Sequence, residues 1–276
     1  MPIHTETPVR VFDQEAYHQV THIVTGLAFD IHNEFGRYLD ENLYQGELTR
    51  RCRARGLTVQ PEFRMTATLG DFNKHYFADQ LIDGGVIVED KAVAALAPIH
   101  RAQTLNYLFL CGLHHGTLLN FRTERVQREF VSTSLTPAAR HQFEIVPTDW
   151  QPLTARCRQL LEILSRLLHD WGAFLDTLLY RDALTHFLGG EESVVREVEV
   201  TSGDTVIGTQ KMHLLASDVA FSVTASRHRP DIVLEHHRRF LRHTDLRAIQ
   251  WINFDHHRIE LRTITRPRDI EPCNAE

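Results

Sequence analysis

Residues 76–107 run YFADQLIDGGVIVEDKAVAALAPIHRAQTLNY. Two apolar stretches, Tyr76–Ile82 and Val86–Ala92, flank Asp83-Gly84-Gly85. An Asp-Gly step between apolar stretches predicts a hairpin, because both residues tolerate the backbone of a tight turn. Loop length sets the register, and a slip of one residue turns every side chain to the opposite face. With a three-residue loop, Asp79 stands opposite Glu89, and Lys91 follows on the same face. With a two-residue loop, Asp79 and Glu89 fall on opposite faces.

Two carboxylates and one ammonium on one sheet face have a chemical use. Carboxylate oxygens suit a hard cation such as Mg²⁺. Such a cation polarises a phosphodiester and activates water. Lys91 can orient that water or stabilise developing phosphate charge. The same residues also fit a plain surface hairpin carrying a cross-strand charge pair.

Asp79 followed by Glu89-Asp90-Lys91 on the next strand resembles the metal site of the PD-(D/E)XK nuclease superfamily. Gln103-x-x-x-Tyr107 is similar to the QxxxY motif of its RecB-type exonuclease branch. The run Pro98–Tyr107, with Leu118-Leu119-Asn120-Phe121 after it, resembles the GxxExxY family of that superfamily. Glu41-Asn42-Leu43-Tyr44 supplies the ExxY half of the motif, whereas Tyr38 stands where that family has glycine and Gly36 matches an earlier glycine of the turn. The resemblance spans roughly residues 15–135. It implies an α/β fold, a mixed sheet with the αβββαβ core of restriction endonucleases. It implies Mg²⁺ or Mn²⁺ held by Asp79, Glu89 and the Asp90 carbonyl. Lys91, Glu41, Gln103 and Tyr107 would be the catalytic and supporting residues. The expected function is metal-dependent hydrolysis of nucleic-acid phosphodiester bonds, with DNA ahead of RNA as partner. The alternative is a catalytically weak or inactive module of the same fold that binds nucleic acid or a protein.

Upstream, Val20, Ile23, Val24, Leu27, Ala28 and Ile31 recur at helical spacing, which predicts a helix over about 15–35 stopped by Gly36. A second helix is expected over about 39–55, with Leu43, Tyr44, Leu48 and Cys52 inward. Leu57–Ala67 alternates as a strand. Pro98 opens a helix to about Leu113, with Ala102, Leu105, Leu108, Phe109 and Gly112 as its buried side. Thr117–Phe121 and Val126–Ser132 complete the strands, and residues 1–13 read as a loose lead-in.

The net charge of −6 argues against a uniformly basic nucleic-acid binder but permits a local basic patch. The 18 histidines include pairs such as His114-His115 and His236-His237, which lack metal-site spacing and read as solvated or half-buried. Cys52, Cys111, Cys157 and Cys273 form no CxxC and suit a reducing compartment. No apolar run approaches the roughly 20 residues of a membrane span. The start carries neither a basic nor an apolar leader segment. Together these features predict a cytoplasmic protein with no membrane partner.

The second half echoes the first. Gly36-Arg37-Tyr38-Leu39-Asp40 faces Gly172-Ala173-Phe174-Leu175-Asp176, and Leu43-Tyr44 faces Leu179-Tyr180. Leu48-Thr49 faces Leu184-Thr185, and Asn120-Phe121 faces Asn253-Phe254. The chemistry does not repeat: Glu41 faces Thr177, Gln103 faces His236 and Tyr107 faces Phe240. The region Met212–Ala225 looks about three residues shorter than its counterpart, and Asp218 is its sole acid. The pattern predicts a tandem duplication. Residues 1–140 form the intact unit, 154–266 a degenerate copy, and 267–276 a tail, with a proline-bearing linker over about 136–153. The expected assembly is a single-chain pseudo-dimer or a weak homo-oligomer with one active half.

Overall fold

The computed structural model describes residues 2–227 and 229–266. The expected tail over 267–276 lies outside the described residues. The chain divides into two units, Met1–Ala139 and Arg140–Glu276. Among the described residues, no helix is long and apolar enough to cross a membrane.

The first unit comprises β1 (Ile3–Thr5), α1 (Gln14–Phe35), α2 (Glu41–Ala54), β2 (Val59–Leu69), β3 (Phe72–Ile82), β4 (Val86–Lys91), α3 (Pro98–Cys111), β5 (His115–Asn120) and β6 (Gln127–Ser132). The sheet order is β1-β2-β3-β4-β5-β6. Every pairing is antiparallel except β4 with β5, the two strands that α3 connects. Asp13 starts α1 by accepting from the Ala16 N–H, and Gly36 ends it at φ 71°, where a side chain would be strained. The α1 stripe of Val20, Val24, Leu27, Ala28 and Ile31 packs with Tyr44 and Leu48 of α2 over Val86, Val88, Leu119 and Phe121. The helices thus cover one face of the sheet centre, which fixes β4 in a fully buried position.

The short α4 (Pro137–Arg140) falls at the boundary. The second unit comprises β7 (Glu144–Asp149), α5 (Ala155–Trp171), α6 (Thr177–Phe187), α7 (Glu191–Val194), β8 (Val195–Ser202), β9 (Thr205–Ala216), β10 (Val219–Thr224), α8 (Pro230–Arg242), β11 (Ala248–Asp255) and β12 (Arg258–Thr265). Its sheet order is β7-β12-β11-β10-β9-β8. From β8 to β12 the order and directions match β2 to β6, including one parallel pair, β10 with β11. The additional strand differs: β1 flanks β2 in one sheet, whereas β7 flanks β12 in the other.

Several expectations change. The lead-in contains an edge strand, β1, paired with β2 through Ile3 and Ala67. The linker contributes α4 and β7, and β7 pairs parallel to β12. Pro147 lacks an N–H to donate, which an edge strand tolerates. Leu43 is exposed instead of inward. On α3 the buried residues are Thr104, Asn106, Tyr107, Leu108 and Leu110, whereas Ala102 is exposed, so the inward face is rotated from the apolar stripe. The span Met212–Ala225 is not shortened. The parallel ladders pair Lys91 with Asn120 and Thr224 with Asn253, and the antiparallel ladders pair Gln80 with Val88 and His213 with Phe221. Asp79–Lys91 and Met212–Thr224 are therefore equally long, and the shortening falls upstream of Met212, partly before β8 and partly within it, where the register shifts between Val200 and Thr201.

Candidate active site

The β3–β4 hairpin has the three-residue loop: Ile82 pairs with Val86, Leu81 with Ile87 and Gln80 with Val88. Asp83 and Gly84 take φ 49° and 69° to make the turn. Asp83 is anchored because its carboxylate accepts from both the N–H and the hydroxyl of Thr58. Gly85 admits no side chain, since a Cβ there would lie 2.6 Å from the Phe12 ring.

Beyond Gln80 and Val88 the ladder gives way to side chains. The Asp79 N–H donates to Glu89 Oε1 at 3.1 Å, and the Asp90 N–H donates to Asp79 Oδ2 at 2.8 Å. Lys91 Nζ lies 3.3 Å from Glu89 Oε2, 3.4 Å from Asp79 Oδ2 and 3.9 Å from Glu41 Oε1. Glu41, the first residue of α2, also accepts from the Ala92 N–H at 3.0 Å. Side-chain exposure grades from 1% at Glu89 through 22% at Asp79 to 44% at Glu41, so the cluster opens to solvent on the α2 side.

The Asp90 carboxylate does not join them. It is fully buried and accepts from Gln80 Nε2 at 3.1 Å. Gln80 also donates to Gln45 O, while Gln45 Nε2 donates to Asp79 O at 2.9 Å. These two glutamines fasten α2 to both strands. Sequence reading missed them, although a glutamine directly after Asp79 inside an apolar strand was a usable signal. Gln103 Nε2 donates to Tyr107 Oη at 2.8 Å, and the Tyr107 ring meets Tyr76 edge-on. Among the described residues no direct hydrogen bond joins Gln103 or Tyr107 to the four charged groups, but Tyr107 feels the Glu89 and Asp79 charges, and burial before all else pushes its pKa up to about 12.

One ammonium serves four acids. Burial first, and then the Asp79 charge, push the Glu89 carboxyl up to about 8. Burial likewise raises Asp79, against the pull of Lys91. Asp90 is raised well above the carboxylate range by burial, then by Asp79 and Glu89. Burial pulls Lys91 down, but Glu89, Asp79 and Glu41 outweigh it and hold its pKa high. The cluster is short of positive charge, and its donors are hard oxygens, which fits a divalent ion such as Mg²⁺ or Mn²⁺. Among the described residues no three His, Cys, Asp or Glu side chains form a ready-made cage, so such an ion would also need backbone oxygen or water.

Residues 18–132 match the PD-(D/E)XK nuclease superfamily. The matched span runs from α1 to β6 and contains every charged residue of the cluster. Proteins of this superfamily generally use Mg²⁺ or Mn²⁺. No curated protein matches the chain. Among solved structures, SSO0001 aligns at 17% identity over 43% of this chain and 68% of its own, with a TM-score of 0.29, too slight a likeness to bear on the fold. The nuclease-superfamily match thus falls on the first unit, and the second unit lies outside it.

The ladders show what the second unit has at the same places. Met212 corresponds to Asp79, Ser222 to Glu89 and Thr224 to Lys91. Trp251 Nε1 donates to Thr224 Oγ1 at 2.8 Å. Trp251, Met212 and Phe240 belong to one apolar cluster.

Proposed function

We propose that the first unit is a divalent-metal-dependent nuclease and the second a degenerate copy of it. The convergence of Asp79, Glu89 and Glu41 on Lys91 Nζ carries the first half of this reading. Asp79 and Glu89 would hold the ion. The Asp90 carbonyl would help, since in an extended strand it leaves the same edge as the N–H, which here points at Asp79. When bound, Mg²⁺ or Mn²⁺ supplies Lewis-acid neutralisation of phosphate charge and makes water more acidic. Lys91 orients the attacking water and stabilises charge building on the phosphate oxygens. Glu41, more exposed than the others, accepts a proton or positions a second water. Gln103 fixes the Tyr107 hydroxyl at the wall of the site.

Recurrent details favour a duplication. Tyr44 Oη donates to Gly36 O at 2.7 Å, and Tyr180 Oη donates to Gly172 O at 2.6 Å. Tyr44 stacks on Phe121 at 4.4 Å, and Tyr180 packs on Phe254 at 4.5 Å. Asn120 clasps both backbone groups of Val93, and Asn253 clasps both of Ser226. A second reading, a binding module without turnover, draws support from Lys91, whose ammonium already sits between the carboxylates.

Cleavage assays on single- and double-stranded DNA and RNA with Mg²⁺ or Mn²⁺ separate the two. The nuclease reading expects cleavage that chelation and Asp79→Ala abolish and that Lys91→Ala cuts by about 10²- to 10³-fold. Intact polymer in every combination would leave only the binding module.

A further inference from the structure

Next to the acid cluster the first unit opens a groove of about 870 Å³, lined by Arg37, Tyr38, Ala94, Arg122, Glu124 and Arg125. Ala92 joins the two: its N–H donates to Glu41 Oε2, and its carbonyl accepts from Arg122 Nε at 3.3 Å. Arg122 also donates to Leu39 O, which ties the groove wall to the turn before α2. The Tyr38 ring is 76% exposed, and the Arg37 guanidinium lies 5.3 Å from its centroid. Three guanidinium groups against one carboxylate, Glu124, make the groove positive in a chain whose net charge is −6.

The second unit lacks this pattern. Alignment through Gly36 with Gly172 and Asn120 with Asn253 places Ala173 at Arg37, Phe174 at Tyr38 and Asp255 at Arg122. Arg258 retains the Arg125 position, and the Phe174 ring packs against His256. Two of the three guanidinium groups and the exposed ring are therefore absent from the same unit that lacks the acids.

Resting on the nuclease reading for the adjacent acids, we infer that this groove holds a single-stranded nucleic-acid segment, its phosphates on Arg37, Arg122 and Arg125 and a base stacked on Tyr38. Guanidinium forks suit phosphate oxygens. An open aromatic face accepts a base only when that base is free of a duplex stack. The ribose or deoxyribose is not read by any of these groups, so DNA and RNA share the chemistry.

Fluorescence anisotropy with labelled single-stranded DNA, single-stranded RNA and blunt duplex DNA, all in chelator, tests the assignment without cleavage. The proteins are the full chain, Tyr38→Ala, Tyr38→Phe and the double variant Arg37→Ala/Arg125→Ala. Tyr38→Ala should weaken single-strand binding about tenfold while Tyr38→Phe keeps it and duplex binding barely changes. The double variant should lower the salt slope by about 1.4, from two lost phosphate contacts. A preference between the DNA and RNA arms identifies the polymer. Unchanged single-strand affinity in either Tyr38→Ala or the arginine double variant, or equal losses on duplex and single strand, would overturn the inference. Cleavage with Mg²⁺ is scored separately: groove-dependent binding without cleavage removes the nuclease reading alone, and cleavage without groove-dependent binding removes this one alone.

Discussion

At matched places on two sheets that share five strands in the same order, one unit carries Asp79, Glu89 and Lys91, and the other carries Met212, Ser222 and Thr224. The first arrangement is expensive, because carboxyls buried beside one ammonium are poorly neutralised. The second fills its space with Trp251, Met212 and Phe240, which require no counter-charge. The sheet folds with either set, so the fold alone does not demand the charges. Their presence in the first unit therefore points to chemistry.

Truncating the apolar substitute should be the most damaging: Trp251 is fully buried, and Trp251→Ala should cost about 3–5 kcal/mol in urea unfolding followed by circular dichroism. A loss below about 1 kcal/mol would mean that the second unit does not rely on that packing. Next, Lys91→Ala should reduce cleavage about 10²- to 10³-fold, whereas Thr224→Ala at the matched place should leave the rate unchanged. Comparable losses in both variants would erase the distinction between the units.

Smaller effects sharpen the likeness. Tyr44→Phe and Tyr180→Phe each remove a hydroxyl that donates to a glycine carbonyl and accepts from the backbone of Leu39 or Leu175, and should each cost about 1–3 kcal/mol. Strongly unequal costs would argue that the two tyrosines are not the same device. The smallest effect concerns pH. Burial lowers the pKa of His213 and His237 in the second unit. The unfolded chain then binds protons that the folded unit refuses, so stability falls as pH drops below the ordinary histidine value of 6.5. Trp150, Trp171 and Trp251 are the chain's three tryptophans and all lie in the second unit. Their fluorescence should report a lower urea midpoint at pH 5.5 than at 7.5, and His237→Gln should reduce that difference.

The hairpin was legible because Asp83-Gly84-Gly85 stands between two apolar runs, but its register was not, since two- and three-residue loops both suit that step and only the pairing of Ile82 with Val86 decides between them. The recurrence of Gly36, Tyr44 and Asn120 was legible because each performs a backbone task that neighbouring residue types do not replace. The inward face of α3 was not, because Thr104 and Asn106 are buried polar residues that interrupt an apolar stripe. Edge strands β1 and β7 escaped notice because a strand paired on one side needs neither alternation nor freedom from proline. The tether of Gln45 to Asp79 escaped because it joins residues 34 positions apart, a separation that carries no local pattern.

Calorimetric titration of the full chain with Mn²⁺, wild type against Glu89→Gln, tests the metal assignment most directly. The account predicts saturable binding to the wild type that the variant loses while remaining folded. Binding that survives Glu89→Gln unchanged, or no binding in either protein, would contradict it.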